Sequence, residues 1–205
     1  GVKKGVTIQI IKKIPIAAGL AGGSTDAAAA LKGLNDLWDL NLPEEKLREL
    51  GARLGADVPF CINGGTVKAE GIGTELTTLS PLPETELVMV KPEIGVSTKE
   101  IYTNYKPEMI KRRPDTEAME KAIEEENLEA FKDNLVNVLE DITLSLYPEV
   151  AKLKKKMEGL GGHPVMMSGS GPTLFAVMDN RQEADEYAKL LKEKLEVQVI
   201  RTRTR

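Results

Sequence analysis

Cysteine and histidine are nearly absent: the chain has one of each, Cys61 and His163. A lone cysteine excludes an intramolecular disulfide, and without a Cys/His cluster no zinc site can be assembled. Long apolar runs are missing too. None approaches the roughly 20 residues needed to span a bilayer, and no signal-peptide pattern is read at the N-terminus. Extended basic tracts are also lacking. Lys plus Arg is 28 against 32 for Asp plus Glu, a formal charge of −4. Phosphate neutralisation needs clustered cations, so nucleic acid is excluded as the main partner. The short runs Lys152 to Lys156 and Arg201 to Arg205 read as solvated helix and tail positions. These absences leave a cytoplasmic protein with no membrane partner and no identifiable metal ligands.

What is present fits a soluble α+β protein. Of 205 residues, 41% are hydrophobic and 29% charged, enough for one large domain or two small ones. Alternation in Val6 to Ile10 predicts a strand, with a turn at Lys13 to Pro15. Ser24, Thr25 and Asp26 are N-cap types before an expected helix Ala27 to Trp38, whose Leu31, Leu34 and Trp38 form a core stripe. A second helix is expected over Pro43 to Leu54, and Gly55 to Pro59 breaks the pattern. Thr66 to Glu70 reads as a strand and Gly71 to Gly73 as a turn. Ser80-Pro81-Leu82-Pro83 is a linker signal, dividing the chain into 1–80 and 81–205. Beyond it, strands are expected at Leu87 to Val90, Val165 to Met167, Leu174 to Met178 and Val197 to Thr202. Helices are expected after Ser97-Thr98 to Tyr105, over Thr116 to Glu129, Phe131 to Leu146, Pro148 to Gly159 and Gln182 to Leu195. The elements interleave without a regular βα rhythm, so the class is α+β.

The most informative stretch is Pro15-Ile16-Ala17-Ala18-Gly19-Leu20-Ala21-Gly22-Gly23-Ser24-Thr25. Glycines permit positive φ and close backbone approach. Free N–H groups at a helix start, reinforced by the dipole, attract anions. No Lys-Ser/Thr pair follows the last glycine, and the G-x-G-x-x-G spacing is absent, so neither common nucleotide fingerprint applies. The competing reading is a tight strand-to-helix connection, but three glycines and two hydroxyls at one helix start favour phosphate. Asp57, in Gly55-Ala56-Asp57-Val58-Pro59, fits either a hydroxyl-activating base or the cap of a turn. Ser168-Gly169-Ser170-Gly171-Pro172 is a second glycine-rich turn, able to form an anion nest or to let two segments cross. Thr98 is either a helix cap or a substrate contact. His163 reads as a surface loop residue and Cys61 as a small buried apolar group.

The first loop resembles the Pro-x-x-x-Gly-Leu-x-Gly-Gly-Ser-Ser/Thr loop of the GHMP kinases. Met167 to Thr173 is similar to that superfamily's third motif. Leu54 to Phe60 with Ala69 to Gly73 looks like the branch acting on 4-diphosphocytidyl-2-C-methyl-D-erythritol. The resemblance runs in order along essentially the whole chain.

It implies two subdomains, a truncated N-terminal part of the ribosomal-protein type and a ferredoxin-like C-terminal part. It implies ATP and Mg²⁺ as cofactors, with Pro15 to Thr25 holding ATP. Asp57 would be the catalytic base, and Thr98, Gly169, Ser170 and Gly171 would lie near substrate. The family's N-terminal lysine and cytidine-holding stretch have no counterpart here, and from Gly1 onward Val2 to Ile11 already reads as a strand in progress. A fragment is therefore expected, inactive as a kinase by itself, with an open strand edge that favours self-association. Other readings are another GHMP kinase of homoserine or mevalonate type, a module that only binds nucleotide, and a non-enzymatic structural fragment.

Overall fold

The protein, represented by a computed structural model, is described over residues 2–204. It divides into two units. The first comprises residues 1–16 and 21–79, the second residues 17–20 and 80–205.

The first unit is built on three helices, α1 (Gly22–Leu37), α2 (Glu44–Ala52) and α3 (Val58–Asn63), and a hairpin of β1 (Val67–Glu70) and β2 (Glu75–Thr78). Ala28, Leu47, Val58 and Ile62 form its core, with Leu31 and Cys61 packed at the margin. Gly51 lets α2 close on α3, since a Cβ there would lie 2.9 Å from both Ile62 and Val58 side chains. The antiparallel hairpin pairs Glu70 with Glu75 next to its turn, where Gly71 and Gly73 have positive φ.

Four expectations fail here. Residues 6–10 form no strand, because no segment among the described residues pairs with them; Val6, Ile8 and Ile10 are 44%, 54% and 59% exposed. Helix α1 starts five residues before Ala27, with left-handed Ala21 as its N-cap and no side-chain cap. The break expected over Gly55 to Pro59 ends early: Val58 and Pro59 already belong to α3, because Pro59 lies in its first turn, where its missing N–H costs nothing. Trp38 is only half-buried; it is the C-cap residue of α1, beyond the packed stripe.

The second unit is a four-stranded antiparallel sheet in the order β4-β5-β3-β6. Its strands are β3 (Glu86–Lys91), β4 (Met166–Met167), β5 (Leu174–Met178) and β6 (Gln198–Arg203). Helices α4 (Thr98–Thr103), α5 (Thr116–Glu124), α6 (Leu128–Asp133), α7 (Val138–Leu146) and α8 (Pro148–Gly161) lie between β3 and β4, and α9 (Arg181–Lys194) joins β5 to β6. This is the split βαβ arrangement of a ferredoxin-like unit.

Alternate strand residues Val88 and Val90, and Leu174, Ala176 and Met178, face one core with Val150, Leu153 and Met157 of α8 and Tyr187 and Leu191 of α9. The two helices expected over 116–146 are three. Glu126 takes a positive φ, and Asn127 and Asn137 cap α6 and α7 through their side chains. Asparagine competes with the backbone in this way wherever a new helix must start.

Candidate functional site

In the first unit, Ala21 at φ 47° turns the chain into α1. Alanine seldom adopts the left-handed region, and such strain gathers where a precise backbone shape is needed. Among the described residues, the amides of Gly22, Gly23 and Ser24 have no backbone acceptor, whereas the Thr25 N–H donates to Ala21 O at 2.9 Å. Three donors therefore sit free at the positive end of a 16-residue helix.

Gly22 and Gly23 differ. A Cβ on Gly22 would lie 2.9 Å from Ile14 Cγ2, but one on Gly23 would meet nothing within 4 Å. Packing explains the first glycine and leaves the second facing open space. The Ser24 hydroxyl has no partner among the described residues. The Thr25 hydroxyl donates to Ala21 O at 3.1 Å and lies 3.6 Å from Cys61 Sγ.

Cys61 is one helical turn from Asp57, the N-cap position of α3. That turn spans about 6 Å of rise, which puts Asp57 one helical turn from the Thr25–Cys61 contact. Asp57 is exposed. Its side chain makes no capping bond and has no other partner among the described residues. Pro15 is half-buried and Ile16 is 75% exposed.

Residues 17–20 of the same loop group with the second unit. Ala17 and Gly19 have φ 50° and 70°, and Ala18 is buried. The Ser168 hydroxyl donates to Gly19 O at 2.8 Å, and a Cβ on Gly19 would lie 2.2 Å from Ser168 O. Gly19 is thus required by contact with the second glycine-rich turn. In that turn, Gly169 and Gly171 take positive φ, and Ser170 is buried. Thr98 Oγ1 lies 2.8 Å from Ser170 Oγ. Ser97, not Thr98, caps α4, so the capping explanation of Thr98 is removed.

An open cleft of about 670 Å³ borders Ser168 and Gly169, with Tyr102, Tyr105 and Phe175 on its walls. His163 is half-buried, edge-on to Tyr187 with ring centres 4.6 Å apart. Cys61 is also half-buried rather than fully enclosed.

The sequence reading missed two residues. Lys12 donates to Gly22 O at 2.7 Å and pairs with Asp26; its signal was only a lysine just before the loop. Asn137 caps α7 and donates to Met167 O at 2.8 Å and Gly169 O at 2.7 Å. Its signal was an Asn before an apolar run. Among the described residues, no three His, Cys, Asp or Glu side chains cluster as metal ligands, and no helix is long and apolar enough to cross a membrane.

The family models "GHMP kinases N terminal domain" and "GHMP kinases C terminal" match residues 1–65 and 119–196. The chain is 53% identical over 177 residues to the 4-diphosphocytidyl-2-C-methyl-D-erythritol kinase of Bacillus velezensis, covering 86% of this chain and 61% of that one. It is 48% identical over 183 residues to the enzyme of the same name from Acetivibrio thermocellus, covering 89% and 65%. It therefore spans somewhat less than two thirds of these relatives' length.

A crystal structure of 4-(cytidine 5'-diphospho)-2C-methyl-D-erythritol kinase superposes with a TM-score of 0.78 at 32% identity, covering 94% of this chain and 68% of that one. Homoserine kinase from Cytophaga hutchinsonii superposes at 0.72 with 17% identity, covering 95% and 68%, and shares the fold. With its two glycine-rich turns in the matched order and a relative of this identity covered to this extent, the chain belongs to the GHMP kinase family, alongside the 4-diphosphocytidyl-2-C-methyl-D-erythritol kinases.

Proposed function

We propose that the protein, at its relatives' full length, transfers the γ-phosphoryl group of ATP to the 2-hydroxyl of 4-diphosphocytidyl-2-C-methyl-D-erythritol in the cytoplasm. The observation that carries this is the start of α1: among the described residues, three amides without an acceptor, an open Gly23 and an unpartnered Ser24 hydroxyl, with an unpaired Asp57 one helical turn from Cys61, the neighbour of Thr25. A helix N-terminus of this kind suits a phosphate. Phosphoryl transfer needs chiefly positioning and charge stabilisation, plus a group that takes the hydroxyl proton. In this reading Asp57 accepts that proton, the substrate oxygen bonds to the γ-phosphorus, and the bond to the ADP oxygen breaks. No phosphoenzyme is formed.

Mg²⁺ keeps several waters and binds through phosphates and one or two protein oxygens. The free Ser24 hydroxyl fits that role, since the Asp26 carboxylate is committed to Lys12; bound there, the ion would offset phosphate charge. Residues 15–25 are assigned to ATP, and Thr98, Gly169, Ser170 and Gly171 to the alcohol substrate. The Tyr102, Tyr105 and Phe175 walls offer stacking surface for a planar base.

The test is an ADP-release assay on a version extended to the relatives' length, with the cytidyl substrate, homoserine and mevalonate in parallel. Phosphorus NMR then locates the new phosphate. Turnover with only the cytidyl compound, giving a 2-phosphate, is expected. Preference for homoserine or mevalonate would replace this reading with another kinase of the family. Binding of ATP without any turnover would leave only a nucleotide-binding module.

A further inference from the structure

Lys12 stands outside the loop assigned to ATP, yet its ammonium reaches the loop's end. It donates to Gly22 O at 2.7 Å and pairs with the Asp26 carboxylate, both on the first turns of α1. The path of Lys12 also limits the residue at position 22, where a Cβ would lie 3.0 Å from Lys12 Nζ. Lys12 and Asp26 remain partly exposed, at 24% and 31%, so the pair borders solvent where a ligand at the helix start would lie.

We infer that Lys12 is a positioning residue of the phosphate loop, cancelling the charge of Asp26 and fixing the Gly22 peptide so that a triphosphate meets amides and not a carboxylate. The inference rests on the phosphate reading and adds to it the group that neutralises the carboxylate on the opening turns of α1.

The physics makes the pair matter. An acidic side chain in the opening turns of a helix is favourable by itself, because it complements the dipole. An anionic ligand seeks the same partial positive charge, so an uncompensated Asp26 would compete with phosphate. At a separation of about 6 Å, repulsion between two unit charges weakens binding by about 3- to 100-fold across effective dielectric constants of 80 to 20. Adenosine, without phosphate, is blind to this effect. That difference separates a charge role from a merely structural one.

The experiment is titration calorimetry of the 205-residue chain with Mg-ATP and with adenosine. Wild type is compared with Lys12→Met, Lys12→Arg, Asp26→Asn and the Lys12→Met/Asp26→Asn pair, with circular dichroism on each. Lys12→Met is expected to weaken ATP by about 3- to 100-fold while leaving adenosine within about twofold. Adding Asp26→Asn should restore ATP to within about threefold of wild type, and Lys12→Arg should retain most affinity.

Equal loss of ATP and adenosine in Lys12→Met, or no rescue by Asp26→Asn, would overturn the inference. If Lys12→Met fails to fold, Asp26→Asn alone decides: ATP affinity equal to or tighter than wild type supports compensation, and a tenfold loss refutes it. A wild-type chain that binds no ATP would instead remove the phosphate reading itself.

Discussion

Gly19, Gly22 and Gly23 stand within five positions, and each has a different reason to lack a side chain. Gly19 has φ 70° and touches the second glycine-rich turn, Gly22 lies under Lys12 and Ile14, and Gly23 faces open space. Gly23→Ala therefore isolates a ligand effect. Alanine in a helix is favoured over glycine by about 0.5–1 kcal/mol, so the melting temperature should rise by about 1–4 °C. Nucleotide affinity should fall at least tenfold, because the new methyl group occupies the approach to the amides. Calorimetry and a thermal melt on one sample check both, and unchanged affinity would show that Gly23 faces no ligand. Gly22→Val cannot make this distinction, since its side chain collides with the protein first. At Asp57, Asn keeps size but loses basicity. In a version of the relatives' length, turnover should drop by about 10²-fold or more with nucleotide affinity nearly unchanged; normal turnover would place the base elsewhere.

At the scale of elements, the second unit is held by α8 and α9 against its sheet, and Tyr187 lies at that join. Its hydroxyl donates to Met157 O at 2.8 Å. Burial, with a smaller push from the Glu158 charge, raises its pKa to about 12. The ordinary value is about 10, so between these limits the folded state holds a proton that the unfolded state has released. Stability is therefore unaffected below about pH 10 and falls as pH rises to about 12, by about 2–3 kcal/mol. Urea titrations across that range should show the loss, and Tyr187→Phe should flatten it. Asn137 joins α7 to the second glycine-rich turn with one accepted and two donated hydrogen bonds. Asn137→Ala removes a helix cap worth about 1 kcal/mol and two bonds of similar size. A loss of about 2–3 kcal/mol in denaturant unfolding is expected, and a change below 0.5 kcal/mol would show that the turn holds itself.

For the whole molecule, the exposure of Val6, Ile8 and Ile10 and the relatives' greater length bear on one comparison. This chain and a version extended to the relatives' length should both bind ATP, because α1 and its loop are complete here. Only the longer one should turn over, since the lysine and cytidine-holding stretch implied by the family resemblance are not among these residues. Full activity from the 205-residue chain would refute that division.

Local signals decided much in advance. The loop, the glycine turns and most strands and helices of the second unit were legible, because glycine, proline, capping side chains and apolar periodicity act over a few neighbouring residues. The caps show the limit of such signals. Asn127 and Asn137 were hidden inside helical patterns, because a cap is defined by where the backbone turns and not by the residue type alone. The strand expected at residues 6–10 could not be settled locally, since a strand requires a partner. Long-range contact likewise decided that Lys12 reaches Asp26 and that Gly19 is pinned by Ser168. These depend on which distant atoms share a volume, and only the folded chain determines that.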